Sequence, residues 1–348
     1  MFYLERDLLY MRKENTTFFV TGGGGYLGSV LVPMLLEHGY SVKVLDRFFW
    51  GKNVLAPHLS NKNLLLIEAD TRSYSPNYLK GSDVVIDLAA LSNDPIGELN
   101  PKITLDINYL ARVRTAKLAK KMGVKKYILA SSCSVYGFRD NILNEASEAK
   151  PITTYARASL LAENGVLPLS SAHFSVTVLR QGTLYGLSPR MRFDMVLNTM
   201  ALSIFKNNII AVQGGLQWRP ILHVEDAASA FAQIAKTEPR FINGEIFNVG
   251  NEEQNYQIKD LAKLIVSTID PVAQIITQEI QSDFRSYHVS FEKIKQTIEY
   301  QTKKTPQDGV KEIYQALKTK QVIDTMQTKT IDWYKHLLSQ NPNILNAL

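Results

Sequence analysis

A glycine-rich turn near the N-terminus constrains this chain more than any other feature. Residues 17–21 read TFFVT, a β-rich run, and the next seven read GGGGYLG. Gly22, Gly25 and Gly28 have the spacing in which one glycine permits a tight turn, one a close approach to a ligand, and one close helix–sheet packing. Residues 26–38 are apolar at helical spacing. The segment therefore predicts the strand, turn and helix that open a βαβ unit.

The ligand that such a turn binds is a dinucleotide. The helix N-terminus offers unpaired N–H groups and a positive dipole end to the pyrophosphate. Asp46 ends the second β-rich run, and a carboxylate about twenty residues past the glycines accepts hydrogen bonds from the adenosine ribose. A carboxylate repels a 2′-phosphate, whereas the neighbouring Arg47 is of a type that can hold one. We expect NAD to be favoured over NADP.

Strand and helix signals alternate through the first half of the chain. Further β-rich runs lie at 41–45, 64–68, 83–89, 126–131 and 174–179, and helical patterns at 101–122 and 152–168. Strands separated by crossover helices indicate an α/β protein with a doubly wound parallel sheet. We expect a Rossmann domain over residues 16–185. A smaller α/β substrate lobe should follow over 186–348, and some of its segments can return to the Rossmann sheet.

Composition excludes several functional classes. The 348 residues carry a net charge of +6, without a basic patch interleaved with aromatic residues, so no nucleic-acid partner is expected. No apolar run approaches the roughly 20 residues that span a bilayer. The single cysteine, Cys133, cannot form an internal disulfide, and no metal site is expected. Residues 1–15 are charged throughout, which favours a short extra helix or a frayed leader over a secretory signal. We expect a cytoplasmic protein without a membrane partner.

A longer series of motifs runs in order over residues 16–320. After the glycine turn and Asp46 come Asp70-Thr71-Arg72, Leu88-Ala89-Ala90, Asn108, SSCSVYG at 131–137, Tyr155, LRQGTLYGLSPR at 179–190, RPILHVED at 219–226 and FNVG at 247–250. This series resembles the extended short-chain dehydrogenase/reductase family, and specifically its nucleotide-sugar epimerases and dehydratases. The order of so many motifs is more specific than any one of them.

The resemblance implies roles for individual residues. The implied cofactor-binding residues are Gly22, Gly25, Tyr26, Leu27, Gly28, Asp46, Arg47, Asp70, Thr71, Leu88, Ala89, Ala90, Asn108 and Tyr155. Tyr155 matches the catalytic tyrosine and Ser132 the catalytic serine or threonine. Ser92, Asn93, Arg219 and Arg285 are implied to bind a nucleotide-diphosphate sugar, with the arginines on its phosphates. Relatives dimerise through helices that correspond to 101–122 and 152–168, which implies a homodimer.

One departure from the family pattern affects the catalytic base. The family has Tyr-x-x-x-Lys, and its lysine lowers the tyrosine pKa and hydrogen-bonds the nicotinamide ribose. Here Ser159 stands in that position, on the same helix face as Tyr155. A serine hydroxyl can bond the ribose but brings no charge. The pKa of Tyr155 should therefore stay near the ordinary tyrosine value of about 10.

A second departure limits the type of reaction. Family members that eliminate water usually carry an Asp-Glu pair directly after the catalytic serine or threonine, where this chain has Cys133 and Ser134. The sequence favours an epimerase that transiently oxidises a sugar hydroxyl, with Cys133 as a further candidate for chemistry. A 4-dehydrogenase or ketoreductase is an alternative. A non-catalytic protein that binds NAD and a nucleotide sugar is another, because of Ser159.

Overall fold

The computed structural model describes residues 16–279 and 285–347, so the leader expected over residues 1–15 lies outside the described residues. The strands are β1 (Thr17–Thr21), β2 (Ser41–Asp46), β3 (Leu64–Glu68), β4 (Val84–Asp87), β5 (Lys126–Ser132), β6 (Phe138–Leu143), β7 (Ser175–Gln181), β8 (Thr183–Tyr185), β9 (Ile209–Gln213), β10 (Trp218–His223), β11 (Glu245–Val249), β12 (Asn255–Gln257), β13 (Gln274–Gln278) and β14 (Ser286–Val289). The α-helices are α1 (Gly28–Glu37), α2 (Asp94–Gly97), α3 (Pro101–Leu105), α4 (Arg112–Lys121), α5 (Thr154–Val166), α6 (Val196–Asn207), α7 (Val224–Lys236), α8 (Pro239–Ile242), α9 (Ile258–Ile269), α10 (Glu292–Ile298), α11 (Pro306–Lys318) and α12 (Thr330–Gln340).

Seven parallel strands form the central sheet, in the order β11-β7-β5-β4-β1-β2-β3. The chain runs outward from β1 to β2 and β3, then returns to β4 on the other side of β1. This reversal opens a crevice at the carboxyl ends of β1 and β4, where doubly wound sheets bind their ligands. The predicted Rossmann fold is confirmed, and β11 is a segment of the C-terminal half that returns to its sheet.

Alternate residues of the sheet strands pack into two separate cores. In β1, Phe18 and Val20 face one core, and Phe19 faces the other. Side chains alternate between the faces of a strand, so both faces of this sheet are covered, as a parallel sheet requires. A third, smaller core holds Tyr334 and Leu345 from the C-terminal segment.

Several predicted elements differ in their bounds. The expected strand at 83–89 ends at Asp87, because the next three residues leave the sheet and line the crevice. The expected helix at 101–122 contains a π-helical turn over Asp106–Ala111, between α3 and α4. The helix expected at 152–168 begins at Thr154, where the Thr153 hydroxyl accepts a hydrogen bond from Ala156 N at 3.2 Å.

Short strands and helices surround the carboxyl edge of the central sheet. β8, β10 and β12 form one small sheet, and the pairs β6–β14 and β9–β13 form two more. Packing of α11 against α6 and α9 joins the helices of the C-terminal half. These elements place residues from the second half of the sequence over the crevice, so its lining comes from both halves. Within residues 16–279 and 285–347, no helix has the length and apolarity to cross a membrane.

Candidate functional site

A long cavity of about 280 Å³ runs along the crevice. The glycine turn forms its floor between β1 and α1. Gly22 has a φ of +72°, and a Cβ there would lie 2.7 Å from Ala89 N. A Cβ on Gly28 would lie 2.5 Å from Gly22 O. Side chains at either position would fill the cradle, so these two glycines are required by space and conformation.

Acidic and basic residues line the end of the cavity next to β2 and β3. Asp46 accepts backbone hydrogen bonds from Gly24 N at 2.9 Å and Phe48 N at 2.7 Å, and burial raises its pKa. Asp70 lies between Arg47 and Arg72, at 2.7 and 2.6 Å. Burial alone would raise the pKa of Asp70, but the two arginines outweigh it and hold that pKa below its ordinary value.

The C-terminal segment covers this end of the cavity. Arg47 donates to the carbonyls of Ile344 and Asn346 at 2.8 and 3.0 Å, and Arg72 donates to that of Leu345 at 2.7 Å. The side chains of Leu345 and Tyr334 line the cavity and are only 3% and 4% exposed. The sequence analysis missed these wall residues, because nothing in residues 330–347 resembles a binding motif.

Arg190, from the loop after β8, also lines the cavity and was missed. Its guanidinium lies 3.9 Å from the ring centre of Trp50, and Nη2 donates to Thr330 Oγ1 at 2.9 Å. Burial lowers the pKa of Arg190 to about 9. Nη1 is buried, and no atom of the described residues accepts a hydrogen bond from it. A buried cationic donor beside the glycine cradle fits a phosphate group, which supports a dinucleotide in this cavity.

The other end of the cavity holds the expected reactive pair. Tyr155 lies in the first turn of α5 and Ser132 at the end of β5, and both residues line the cavity. Burial raises the pKa of Tyr155; the charge of Arg112 opposes this effect, and that of Asp94 reinforces it. The serine hydroxyl and the tyrosine phenol thus belong to residues of one cavity.

Two of the four expected catalytic residues do not line the cavity. Ser159 is 2% exposed, and its hydroxyl donates to the carbonyl of Tyr155 at 3.0 Å, so it does not reach a ribose. Cys133 is 1% exposed, with its thiol donating to Arg180 O at 3.3 Å, and burial raises its pKa strongly. The expectation of chemistry at Cys133 is therefore wrong for this arrangement, because a buried neutral thiol is a poor nucleophile.

The side chains of two further expected site residues form hydrogen bonds with backbone groups of the protein. Asn108 accepts from Leu91 N at 2.8 Å and donates to Leu91 O at 3.0 Å, which fixes the segment after β4. Arg219 donates to Trp218 O at 2.9 Å and also to the carbonyl of Arg285. Neither side chain lines the cavity. The remaining expected cofactor residues do line it: Gly22, Gly25, Tyr26, Leu27, Gly28, Asp46, Arg47, Asp70, Thr71, Leu88, Ala89, Ala90 and Tyr155.

Charged and polar side chains surround the end of the cavity that holds Ser132 and Tyr155. Of the expected substrate residues, Ser92, Asn93 and Arg285 line the cavity. Arg285 is ion-paired with Asp94, which the sequence analysis missed. Two buried cavity-lining atoms, Ser134 Oγ and Gln181 Oε1, have no hydrogen-bond partner among the described residues. Such groups can receive hydroxyl groups of a bound sugar.

Asp87 ends β4, directly before the cavity-lining segment Leu88–Ala90. Its buried carboxylate accepts hydrogen bonds from the hydroxyls of Thr21, at 2.6 Å, and Tyr127. Because β1, β4 and β5 are neighbours, these bonds tie the three strands together at the crevice. Asp87 therefore has a structural role below the site.

Comparisons with known proteins agree with this geometry. A UDP-glucuronic acid decarboxylase 2 from Arabidopsis thaliana is 29% identical over 280 residues, which are 77% of this chain and 60% of the relative. The match thus spans less than two thirds of that relative. A UDP-N-acetyl-alpha-D-glucosaminuronate decarboxylase from Bacillus cytotoxicus is 28% identical over 286 residues, 79% of this chain and 84% of the relative.

A solved structure shares the fold. It is a UDP-N-acetylglucosamine 4-epimerase from Methanobrevibacter ruminantium, with a TM-score of 0.79 and 21% identity over 88% of this chain and 99% of that one. The family model described as "NAD dependent epimerase/dehydratase family" matches residues 18–250, which include the glycine turn, the Ser132–Tyr155 pair and β11. The chain belongs to the NAD-dependent epimerase/dehydratase family.

Proposed function

We propose that this protein is an NAD-dependent nucleotide-sugar epimerase that acts by transient oxidation of a sugar hydroxyl. The observation that carries the proposal is that Ser132 and Tyr155 line the same cavity as the glycine turn, without a carboxylate at position 133 or 134. That pair serves oxidation and re-reduction at one carbon. It supplies no acid and base for the elimination of water.

The cavity-lining residues divide between the two ligands. The glycine turn and Arg190 would hold the pyrophosphate of NAD, Asp46 would bind its adenosine ribose, and the segment Leu88–Ala90 would contact its nicotinamide half. NAD, when bound, accepts and returns the hydride. Arg285 and the polar groups near Asn93 hold the nucleotide sugar.

Tyr155 and Ser132 handle the proton. Tyr155 removes it from the sugar hydroxyl as the hydride leaves the same carbon, and Ser132 donates a hydrogen bond to the developing carbonyl oxygen. Tyr155 returns the proton after the keto-sugar has rotated in the site so that its opposite face is presented to the hydride. The products carry the same atoms as the substrate, and no net oxidation occurs.

Other reactions in the family need a different donor set. The named relatives include decarboxylases. Sugar decarboxylases usually carry a glutamate where this chain has Cys133 or Ser134. Asp94 does line the cavity, but its carboxylate is paired with Arg285 and accepts from the Thr153 hydroxyl. A 4-dehydrogenase or ketoreductase uses the same pair and differs in releasing its product. Ser159 supports the non-catalytic alternative.

The test is incubation of the NAD-loaded protein with a panel of UDP-, dTDP- and GDP-sugars, including uronic acids. An epimerase gives the epimeric sugar nucleotide without stoichiometric absorbance at 340 nm and without CO₂. The Tyr155→Phe variant should lose about 100-fold or more of this activity, since general bases contribute factors of that order. CO₂, a lasting 340 nm signal, or binding without turnover would identify a decarboxylase, a dehydrogenase or a non-catalytic binder instead.

A further inference from the structure

Arg112 is a buried cation that belongs to none of the sequence motifs. It begins α4, is 4% exposed, and its guanidinium lines the cavity. Nε and Nη2 donate to Ala89 O at 3.1 and 3.0 Å, and Nη1 donates to Ala130 O at 2.6 Å. All of these partners are neutral carbonyls. No carboxylate of the described residues forms an ion pair with Arg112, so its charge is not neutralised by direct contact.

The backbone around Arg112 explains how it reaches this position. The π-helical turn Asp106–Ala111 directly precedes it, and such turns insert one residue into a helix and are frequent at functional sites. Within this turn, Asn108 holds both backbone groups of Leu91. The helix is thus fastened to the segment after β4 by Asn108 and Arg112, which fixes the guanidinium beside the cavity.

The position that carries the lysine in the family pattern brings no charge here. Ser159 donates its hydroxyl to the carbonyl of Tyr155 and is turned away from the cavity. Tyr155 is therefore without the cation that normally stabilises its phenolate. Ala89 and Ala130, whose carbonyls hold Arg112, line the same cavity as Tyr155.

We propose that Arg112 replaces the missing lysine: it supplies the positive charge that stabilises the Tyr155 phenolate. The assignment rests on the proposed role of Tyr155 as base. An opposite charge favours the ionised form of an acid.

Other charges also act on Tyr155. Asp94, which is paired with Arg285, raises the Tyr155 pKa, and Arg192, which is paired with Asp194, lowers it. Among the influences that lower the Tyr155 pKa, that of Arg112 is the largest. Below Arg112, the Asp87 carboxylate is engaged by Thr21 and Tyr127. Arg112 is therefore the cation whose removal should move the ionisation of Tyr155 most.

The test is a pH titration of phenolate absorbance at 295 nm in the NAD-loaded protein. For each variant, the titration curve of the same protein with Tyr155→Phe added is subtracted, so that only the ionisation of Tyr155 remains. Arg112→Met should raise the pH of half-ionisation by about one pH unit or more. Arg112→Lys should preserve it, and Ser159→Lys should restore it in the Arg112→Met background. Arg240→Met, an exposed arginine in α8, is the matched control and should change nothing.

The outcomes separate this inference from the proposed reaction. If the parent epimerises a sugar nucleotide, Arg112→Met should lower kcat/KM at pH 7 about tenfold for each pH unit by which the half-ionisation of Tyr155 moves. If no sugar is turned over, the proposed function fails while the titration still decides the role of Arg112. An unchanged titration in Arg112→Met, with NAD still bound and the melting temperature retained, overturns the inference. Should Arg112→Met fail to fold, the pH of half-ionisation in Arg112→Gln decides in the same way.

Discussion

Asp46 holds two backbone groups with its carboxylate and also lines the cavity. Its two oxygens already accept from Gly24 N and Phe48 N. Each carboxylate oxygen has a second acceptor site, so both can still accept from ribose hydroxyls. Arg47, which might have held a 2′-phosphate, is engaged by Asp70 and by two carbonyls of the C-terminal segment.

We therefore expect Asp46→Ala to weaken NAD binding about 10- to 100-fold, because hydrogen bonds to a charged group are worth about 1.5–3 kcal/mol. The same change should narrow the preference for NAD over NADP, since the repelling charge is gone. Calorimetry with both cofactors measures the two effects. Asp46→Asn, which keeps an acceptor, is the control and should lose the preference with a smaller loss of affinity. Equal binding of NAD and NADP by the parent would contradict the assignment.

Among the secondary-structure elements, α12 and the residues after it form the least expected part of the site. Tyr334 packs edge-on against Trp50 at 5.4 Å, and Trp333 donates to Phe49 O at 2.8 Å. The carbonyls of residues 344–346 lie on Arg47 and Arg72. Because these contacts cover one end of the cavity, we expect the segment to separate from it in part when a dinucleotide enters or leaves.

The C-terminal segment should therefore slow the release of NAD. Leu345→Asp places a charge at a site that is 3% exposed and removes apolar burial worth about 1.5–3 kcal/mol. We expect NAD to dissociate at least about tenfold faster from this variant. Stopped-flow exchange or the NAD retained after gel filtration measures it. Ile323→Asp, at a side chain that is 61% exposed, is the control. Equal release rates in parent and variant would show that the segment does not retain the cofactor.

At the scale of the whole molecule, α4 and α5 and the residues beside them present an apolar surface. Leu110 and Leu161 are 52% and 40% exposed, and Ile152 just before α5 is 44% exposed. A second copy of this chain, joined about a two-fold axis, would bury these side chains on both subunits. The exposed lysines 117, 120 and 121 would then lie away from the centre of the interface, because unpaired buried charges are costly.

We expect a homodimer in light scattering at micromolar concentration. Leu110→Asp combined with Leu161→Asp should shift it toward monomer, since each change places a charge in the apolar contact. Leu216→Asp, at a side chain that is 64% exposed elsewhere, should leave the dimer intact. A monomeric parent protein would rule out this interface.

Features with a local cause could be predicted from the sequence. The order of the first strands follows from β-rich runs and helical patterns, and Gly22 and Gly28 are needed because any side chain would collide with the backbone. The Ser132–Tyr155 pair was identified from motifs at the end of β5 and the start of α5. The limits of the expected strand at 83–89 could not be read, because Leu88 is apolar whether it pairs in the sheet or lines the cavity.

By itself, the sequence determined a Rossmann sheet, a dinucleotide turn and a tyrosine without its usual lysine, since each depends on residues close together in the chain. Only the tertiary structure decided which residues distant in sequence surround the cavity. Arg112, at the start of α4, donates a hydrogen bond to Ala89 O, which follows β4. Arg47 donates one to Ile344 O, almost the entire chain away in sequence. Side chains so far apart in sequence share no periodicity or spacing, and they are brought together only when helices and loops pack over one edge of the sheet.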